Sequence, residues 1–378
     1  MFTTINHSTK FPKAIKQPAI YSIFTKRLLK WNQEENHREM PWKGEKDPYK
    51  IWISEIILQQ TRVQQGLAYY ERFITAFPNI QSLAESREEK VFKLWEGLGY
   101  YSRCKNLIAT AKYIWKELEG HFPEEYEEIL ALKGIGNYTA SAISSFAFHQ
   151  PYAVLDGNVF RVLSRFFGLK IPINTTAGKK LYSELAYQLL PAKQSAAYNQ
   201  AIMDFGATIC KPSLPECAIC VMRKKCIAFQ ENLVSVLPIN EKIIKQKRRF
   251  FDYFVLEFDD KFYIKKRTNQ DIWQNLFEFY QIENSAEISE EETIKKFLKL
   301  SGLKKKDYSL QSISTIYQQK LTHQTIEGRF IHIVLKKEIT FDTNYQLVDK
   351  KEMNSLAFPK FISTYLKEKE SIFKFVLS

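Results

Sequence analysis

The sequence is poor in the residues that fibrous, linker-rich and disulfide-stapled proteins need. Glycine and proline number 13 each in 378 residues, which argues against fibrous or linker-rich architecture. Five cysteines are too few for a disulfide scaffold of this length. No run approaches the ~20 apolar residues of a membrane-spanning helix, and residues 1–16 lack the apolar core of a secretory signal. We therefore expect a cytoplasmic protein without a membrane span.

The chain does have enough apolar residues for packed cores, together with an excess of positive charge. Apolar residues make up 45% of the sequence, and at roughly 150 residues per domain we expect two or three domains. Lys and Arg number 55 against 42 Asp and Glu, which favours a polyanionic partner without distinguishing DNA, RNA or an acidic membrane. Residues 1–247 hold 33 basic and 23 acidic residues, so this part is the better candidate for the polyanion surface.

The spacing of apolar residues changes along the chain. Residues 19–230 show helical spacing, with short connections. From Phe250 the pattern predicts two strands around a tight turn at Asp259–Asp260. Further strands are predicted at Ser312–Leu321 and Phe330–Glu338, and helices at Glu290–Leu300 and Pro359–Lys369. The sequence therefore predicts an all-α domain followed by an α+β domain.

Four of the five cysteines lie in one short segment and indicate a metal centre. Their spacing is Cys210-x6-Cys217-x2-Cys220-x5-Cys226. Four thiolates on one loop fit either tetrahedral zinc or a [4Fe–4S] cluster, but zinc sites usually present two close pairs and here there is one. Basic residues on the same loop form either a solvated face or contacts to phosphate groups: Lys211, Arg223 and Lys224.

A second motif, Leu132-Lys-Gly-Ile-Gly-Asn-Tyr-Thr-Ala140, predicts a tight turn between two helices. Gly134 and Gly136 supply the backbone freedom that such a turn needs. The free N–H groups at the start of the following helix can bind a phosphate. A G-x-G alone is weak evidence, and the small residues after it also suit close helix packing.

Together the two motifs resemble those of the helix-hairpin-helix DNA glycosylases that carry an iron–sulfur cluster. Further segments resemble the MutY family of adenine DNA glycosylases in particular: Pro41-Trp42, Asp47–Glu55, Ile56–Val63, Gly97–Tyr101 and Leu155–Val159. The likeness is dense over residues 20–230 and loose beyond them. It implies a [4Fe–4S] cluster on the four cysteines, with zinc as the alternative. It also implies a duplex DNA partner in which adenine faces 8-oxoguanine or guanine.

The resemblance implies that two carboxyl groups carry the chemistry. Release of adenine needs protonation of the base, and Glu55 lies in an apolar stretch where burial would raise its pKa and keep a proton available. Asp156 would be the carboxylate that stabilises, or transiently bonds, the sugar cation left behind. Without the resemblance, Glu55 would be interpreted as a surface charge and Asp156 as a helix N-cap.

Tyr138 predicts which subtype of reaction the chain performs. Related glycosylases that also cut the strand hold a lysine at the matching position, and that lysine forms a Schiff base. A tyrosine has no amine, so we expect base release that leaves an abasic site. The family assigns to Tyr138 and Asn158 the positioning of Asp156 and the sugar, and a merely structural Tyr138 is the alternative.

Other residues match positions that fill the DNA stack or line the base pocket. Three resemble wedge residues that occupy the gap left by an extruded base: Gln59, Gln60 and Tyr100. The remaining positions expected at the substrate are Trp42, Lys43, Leu58, Thr61 and Gln200. Lys43 stands where an arginine is expected, and a lysine lacks the planar guanidinium that can donate two hydrogen bonds side by side. For Tyr100 and Trp42, the alternative is that each aromatic ring simply fills the hydrophobic core.

The C-terminal part resembles the Nudix-like module with which the family reads 8-oxoguanine. It lacks the G-x5-E-x7-R-E-x-x-E-E sequence, so we do not expect phosphate hydrolysis with Mg²⁺. Leu321-Thr322-His323 stands where the family has Phe-Ser-His. Thr322 keeps the hydroxyl and His323 keeps the ring, whereas Leu321 loses an aromatic contact. The alternative is that His323 is an ordinary strand residue.

We therefore expect an all-α helix-hairpin-helix glycosylase domain followed by an α+β Nudix-like domain. The first would span residues 17–229, with a six-helix lobe at 38–150 and a cluster lobe formed by 17–37 and 151–229. A linker at 230–247 would lead to the Nudix-like domain at 248–378. We expect a monomer that binds no membrane and, in a bacterium, associates with the nucleoid.

Two other functions stay open on the sequence. The first is a glycosylase-lyase for oxidised pyrimidines that resembles endonuclease III, although Tyr138 and the extra domain argue against it. The second is a non-catalytic iron–sulfur DNA-binding protein, for which replacing Glu55 would change nothing beyond binding. We have no functional interpretation of the fifth cysteine, Cys104, beyond core filling.

Overall fold

The computed structural model describes residues 18–241, 247–341 and 344–369. Their contacts divide the chain into two compact units, one from Met1–Ser82 with Ala109–Lys242 and the other from Leu83–Ile108 with Ile243–Ser378. The expected start of the glycosylase domain at residue 17, residues 242–246 of the expected linker and residues 370–378 lie outside the described residues. No helix in the described ranges is long and apolar enough to cross a bilayer.

The regular structure of the described residues up to 241 is helical, including the stretch 83–108 that belongs to the second unit. In chain order, the helices from the N-terminal part to the end of the cysteine loop are α1 (Pro18–Glu34), α2 (Pro48–Leu58), α3 (Val63–Ala76), α4 (Ile80–Ala84), α5 (Glu88–Trp95), α6 (Tyr101–Glu117), α7 (Tyr126–Ala131), α8 (Asn137–Phe146), α9 (Gly157–Phe167), α10 (Thr176–Leu189), α11 (Ser195–Thr208) and α12 (Ile227–Gln230). Seven of them, α2 to α8, lie in the range predicted as a six-helix lobe, and the shortest has five residues.

Aromatic residues hold α1, α9 and α11 together in one core of the first unit. Phe24 on α1 packs against Phe166 and Phe167 on α9, with ring centroids 4.8 and 5.7 Å apart. Trp31, further along α1, meets Phe205 on α11 edge to face at 5.0 Å. Because these rings are buried, they fix α9 and α11 side by side, and both helices carry residues of the site described below.

The second unit contains a mixed sheet of eight strands. The strands are β1 (Lys247–Phe258), β2 (Lys261–Lys266), β3 (Phe277–Glu278), β4 (Tyr280–Asn284), β5 (Tyr308–Ile313), β6 (Tyr317–Lys320), β7 (Gln324–Leu335) and β8 (Gln346–Val348). The order β3-β2-β1-β7-β5 forms the main path, with β4 on β1, β6 on β7 and β8 on β2. The pair β1 and β7 is parallel, from Lys247 opposite Gln324 to Glu257 opposite Val334, and the other pairs are antiparallel.

Besides α5 and parts of α4 and α6, the described residues of the second unit form three helices: α13 (Glu290–Ser301), α14 (Lys350–Ser355) and α15 (Lys360–Glu368). A capping box from Ser289 and Glu292 starts α13, and Gly302 ends it in the left-handed conformation at φ 68°. Its Phe297 stacks on Phe254 of β1 at 4.1 Å, which buries the apolar face of the helix on the sheet.

The expected α+β pattern is confirmed, with two strands differing from the prediction. The strand predicted at Phe330–Glu338 is β7, which begins at Gln324 and ends at Leu335. The turn at Asp259–Asp260 joins β1 to β2, and α13 and α15 lie within one residue of the predicted helices. The segment Ser312–Leu321, predicted as one strand, is divided between β5 and β6, which both pair with β7. The Ser314 hydroxyl accepts the N–H of Phe330, so a side chain replaces the carbonyl that a continuous ladder would present.

Candidate active site

Glu55 lies on a helix that is buried on nearly every side. Asp47 caps α2 by accepting the N–H of Tyr49 at 2.9 Å, and Pro48 occupies the first turn, where it loses no helical hydrogen bond. Isoleucine and tryptophan side chains of α2 are buried around Glu55, whose own exposure is 7%. The carboxyl is therefore held away from bulk water.

This burial changes the acidity of Glu55. Desolvation raises its pKa to about 7, a hydrogen bond with the Tyr138 hydroxyl opposes the rise, and the nearby charge of Asp156 adds to it. Tyr138 lies in the first turn of α8, which follows the predicted glycine turn. The pKa of Tyr138 is well above its usual range because of burial and the two carboxyl groups, so the phenol keeps its proton.

Asp156 is the N-cap of α9, as its sequence context predicts. Its carboxylate accepts the N–H of Val159 at 2.8 Å and the side-chain amide of Asn158 at 2.7 Å. Burial raises the pKa of Asp156, whereas these two hydrogen bonds and the charge of Arg161 lower it. Among the described residues, Glu55 accepts a hydrogen bond from one donor only, Tyr138. Hydrogen bonding therefore stabilises the ionised carboxylate more at Asp156 than at Glu55.

Arg161, which the sequence analysis missed, connects Asp156 to the cysteine loop. Its guanidinium donates to Asn158 Oδ1 at 2.7 Å and to the carbonyl oxygen of Cys210 at 2.7 Å. It also donates to the carbonyl of Gly206 on α11. A Cβ at Gly206 would lie 2.6 Å from the Cβ of Asn158, so the glycine permits the close approach of α11 to the start of α9. The sequence feature that could have identified Arg161 is its place on the polar face of a strongly amphipathic helix.

Both carboxyl groups line one cavity of about 780 Å³, within the size range of ligand sites. The structure brings together in this cavity eleven of the residues predicted for the reaction: Trp42, Lys43, Glu55, Leu58, Gln59, Gln60, Thr61, Tyr138, Asp156, Asn158 and Gln200. Gln59 donates to Thr139 Oγ1 at 3.3 Å, and Gln60 adopts a left-handed backbone with φ 58°. The cavity also has a wall residue that the sequence analysis missed, Asp204 on α11.

Tyr100, Thr322 and His323 belong to the second unit. The hydroxyl groups of Tyr100 and Thr322 are 2.6 Å apart, and both residues are exposed. Tyr100 has a left-handed backbone with φ 50°, and the guanidinium of Arg103 lies over its ring at 5.2 Å. His323 is exposed in the turn between β6 and β7, so it is not a residue of either strand. Neither the Arg103 contact nor the pairing of Tyr100 with Thr322 was predicted.

The four cysteines of the predicted motif line one small pocket, together with Arg165 and Arg223. Arg165 donates to Cys210 Sγ at 3.5 Å and to the carbonyl of Lys211 at 2.7 Å. Within the described residues, no group of three or more His, Cys, Asp or Glu is arranged to hold a single metal ion. A mononuclear zinc needs thiolates that converge at about 2.3 Å, whereas a four-iron cluster holds its ligands around a larger body.

The residues predicted to contact phosphate lie in two places. Gly134, at φ 83°, and Gly136, the N-cap of α8, form the turn between α7 and α8. On the cysteine loop, Lys211 pairs with Glu216 at 2.6 Å, and Arg223 lies over the ring of Phe229 at 4.7 Å. Arg223 and Lys224 are exposed, which leaves their charges accessible to a polyanion.

Comparisons with known proteins identify the family of the chain. Residues 53–185 match the family model described as HhH-GPD superfamily base excision DNA repair protein, and residues 252–368 match a NUDIX domain. The chain is 35% identical over 351 residues to an adenine DNA glycosylase of Buchnera aphidicola subsp. Schizaphis graminum (strain Sg), covering 89% of this chain and 96% of that protein.

A second relative and a solved structure each cover just over half of this chain. The adenine DNA glycosylase of Homo sapiens is 39% identical over 219 residues, which are 55% of this chain and 40% of that protein. The structure of a thermostable thymine-DNA glycosylase is similar with a TM-score of 0.52 and 29% identity, covering 56% of this chain and 97% of that one. The chain therefore belongs to the adenine DNA glycosylase family, and it is an N-glycosylase of DNA base excision repair.

Proposed function

We propose that the protein hydrolyses adenine that faces 8-oxoguanine or guanine in duplex DNA, and that it leaves an abasic site. The observation that carries this proposal is the pair Glu55 and Asp156, which line one cavity in different environments. Glu55 is buried with a pKa of about 7, and Asp156 is held by two N–H donors. Two carboxyl groups in opposite protonation states are what glycosidic cleavage requires.

In the proposed mechanism, Glu55 gives its proton to a ring nitrogen of the extruded adenine. Near neutrality about half of the enzyme carries this proton, because the pKa of Glu55 is about 7. Protonation makes adenine a neutral leaving group, and the C–N bond breaks with its electron pair going to the base. The ionised Asp156 stabilises the sugar cation, with Asn158 and Tyr138 orienting the two carboxyl groups. Glu55, now ionised, accepts a proton from the water that completes the hydrolysis.

We propose that the reaction stops at base release. Tyr138 offers no amine for a Schiff base. Lys43 is an amine at the cavity wall, but its Nζ is bound to Asp204 at 3.2 Å and to the carbonyl of Arg38 at 2.7 Å. An ammonium held by an anion is a poor nucleophile, so neither Tyr138 nor Lys43 is expected to perform the lyase chemistry of the endonuclease III type.

We propose that residues of both units act on the DNA around the extruded base. Gln59, Gln60 and Tyr100 would fill the gap that extrusion leaves. Thr322 and His323 would contact the facing 8-oxoguanine, supported by their exposure in one turn and by the hydrogen bond between the hydroxyl groups of Thr322 and Tyr100. A single chain supplies all of these residues, so the proposal requires only a monomer.

We propose that Cys210, Cys217, Cys220 and Cys226 hold a [4Fe–4S] cluster rather than zinc. The four cysteines line one pocket, and their spacing has one close pair instead of the two that zinc sites usually present. When bound, such a cluster would make the loop rigid. The exposed Arg223 and Lys224, and the hairpin turn at Gly134 and Gly136, would then contact DNA phosphates, with Lys211 able to exchange Glu216 for a phosphate.

The test is a single-turnover assay on duplexes that pair adenine with 8-oxoguanine, guanine or thymine. We expect rapid release opposite 8-oxoguanine, slower release opposite guanine and little opposite thymine. Glu55→Gln should abolish release while duplex affinity survives, which a non-catalytic DNA-binding protein would not predict. Borohydride should trap no covalent complex, and a lysine-dependent trapped complex would favour the glycosylase-lyase.

A further inference from the structure

One wall of the base cavity is a segment without helix or strand. Residues 36–47 connect α1 to α2 and carry Trp42 and Lys43. Within this segment, backbone hydrogen bonds join Lys43 to Met40 at 2.9 Å and Glu45 to Trp42 at 3.2 Å. Two turn contacts do not fix where such a segment lies, so its position depends on side-chain contacts: the edge-to-face contact of Trp42 with Tyr70 at 5.3 Å and a polar anchor.

Asp204 provides that anchor from α11. Its carboxylate is fully buried and accepts Arg38 Nη1 at 2.8 Å and Asn36 Nδ2 at 2.9 Å. Lys43 Nζ lies 3.2 Å from the same carboxylate and donates to the carbonyl of Arg38 at 2.7 Å. Three side chains of the wall segment thus converge on one anion, and two of them are cations.

The consequence follows from the cost of burying charge. With Asp204 in place, two partly buried cations share one fully buried anion. If the anion is removed, Arg38 and Lys43 lose their counter-charge, and burial then favours their withdrawal into water. Because Lys43 is joined to Trp42 in the chain, this withdrawal would displace the aromatic wall of the cavity.

We propose that Asp204 is a positioning residue for the reaction: it holds the wall that carries Trp42 and Lys43 in the place that an extruded purine requires. This inference rests on the proposed base pocket. Asp204 borders the cavity, but its side chain is fully buried, so it acts through the segment that it holds. The remaining N–H of the Lys43 ammonium, which has no acceptor within the described residues, is then free to meet an acceptor atom of the base.

The test is Asp204→Asn, which keeps the shape and removes the charge. We expect single-turnover adenine release at saturating enzyme to fall at least tenfold. Affinity for a duplex that carries an abasic-site analogue, with no base to place in the pocket, should stay within twofold of wild type. The matched control is Asp252→Asn in the second unit, another buried aspartate paired with an arginine and an asparagine, which should leave release within twofold.

Two results would overturn the proposal. One is adenine release within twofold of wild type, and the other is an equal loss of release and of abasic-duplex affinity, which would make Asp204 merely structural. If Asp204→Asn fails to fold, Asn36→Ala tests the proposal instead, because it removes one uncharged hydrogen bond to Asp204. For this variant we expect adenine release at least threefold slower than wild type, with unchanged affinity for the abasic duplex. Failure of the proposed function is separate, since wild type would then release no adenine or Glu55→Gln would release as much.

Discussion

Replacing Glu55 by glutamine should inactivate the enzyme and at the same time stabilise it at alkaline pH. The pKa of Glu55 rises from 4.5 to about 7 on folding, because its side chain loses contact with water. The folded state therefore binds the proton more tightly than the unfolded state. Between these two values, stability falls as pH rises, because the folded chain must either keep a proton that the solution withdraws or bury a charge.

The size of this effect follows from the two pKa values. A difference of about 2.5 pKa units corresponds to about 3 kcal/mol in the free energy of unfolding at pH 8, and to about 1 kcal/mol at pH 5. Glutamine cannot ionise and escapes this cost. We therefore expect the stability of Glu55→Gln, relative to wild type, to be about 2 kcal/mol greater at pH 8 than at pH 5.

The assay is urea unfolding of both proteins at pH 5 and pH 8. Comparing the two pH values cancels any pH-independent effect of the amide on packing. Because the chain has two compact units, the transition of the helical unit should be followed separately, by hydrogen exchange of amides in α2. A stability difference that is the same at both pH values would refute the reasoning, because it would mean that Glu55 is hydrated in the folded protein.

Four further outcomes are expected. Tyr138→Phe removes a hydroxyl that supports ionised Glu55, so the basic limb of the single-turnover pH profile should move up by about one unit; an unmoved limb would contradict this. Thr322→Val should lower the rate preference for adenine opposite 8-oxoguanine over guanine about tenfold, whereas Thr322→Ser, which keeps a hydroxyl for Tyr100, should retain it. Duplex affinity should fall about a hundredfold between 50 and 200 mM salt, as expected for about four phosphate contacts, and a flat response would exclude the proposed surface. The purified protein should contain iron with broad visible absorption, and stoichiometric zinc in a colourless protein would reverse the cofactor assignment.

The sequence predicted the elements whose information is local. Asp47 and Pro48 indicate the start of α2, and the apolar residues around Glu55 indicate its burial. The change of spacing near Phe250 indicates the α+β part, whose first strand begins at Lys247. In each case the signal lies within about ten residues, which is the range over which capping and periodicity operate.

The contacts that organise the site are different, because they join distant parts of the chain. Asp204 lies 166 residues from Arg38, and Tyr100 lies 222 residues from Thr322. An aspartate within an apolar helix and an exposed tyrosine were visible, but no local rule identifies their partners. The division of the predicted strand at Ser314 was missed for a similar reason, since it depends on a side chain that replaces a backbone acceptor.

The glycine at position 206 sets a limit on which inherited variants this enzyme can tolerate. One added methyl group would press on Asn158, and the neighbouring aspartate would then shift relative to the acid on α2. Such a variant could be abundant, soluble and well folded in the cell and still leave mispaired adenines in the genome. Loss of repair at this position would therefore escape any screen that measures protein level alone.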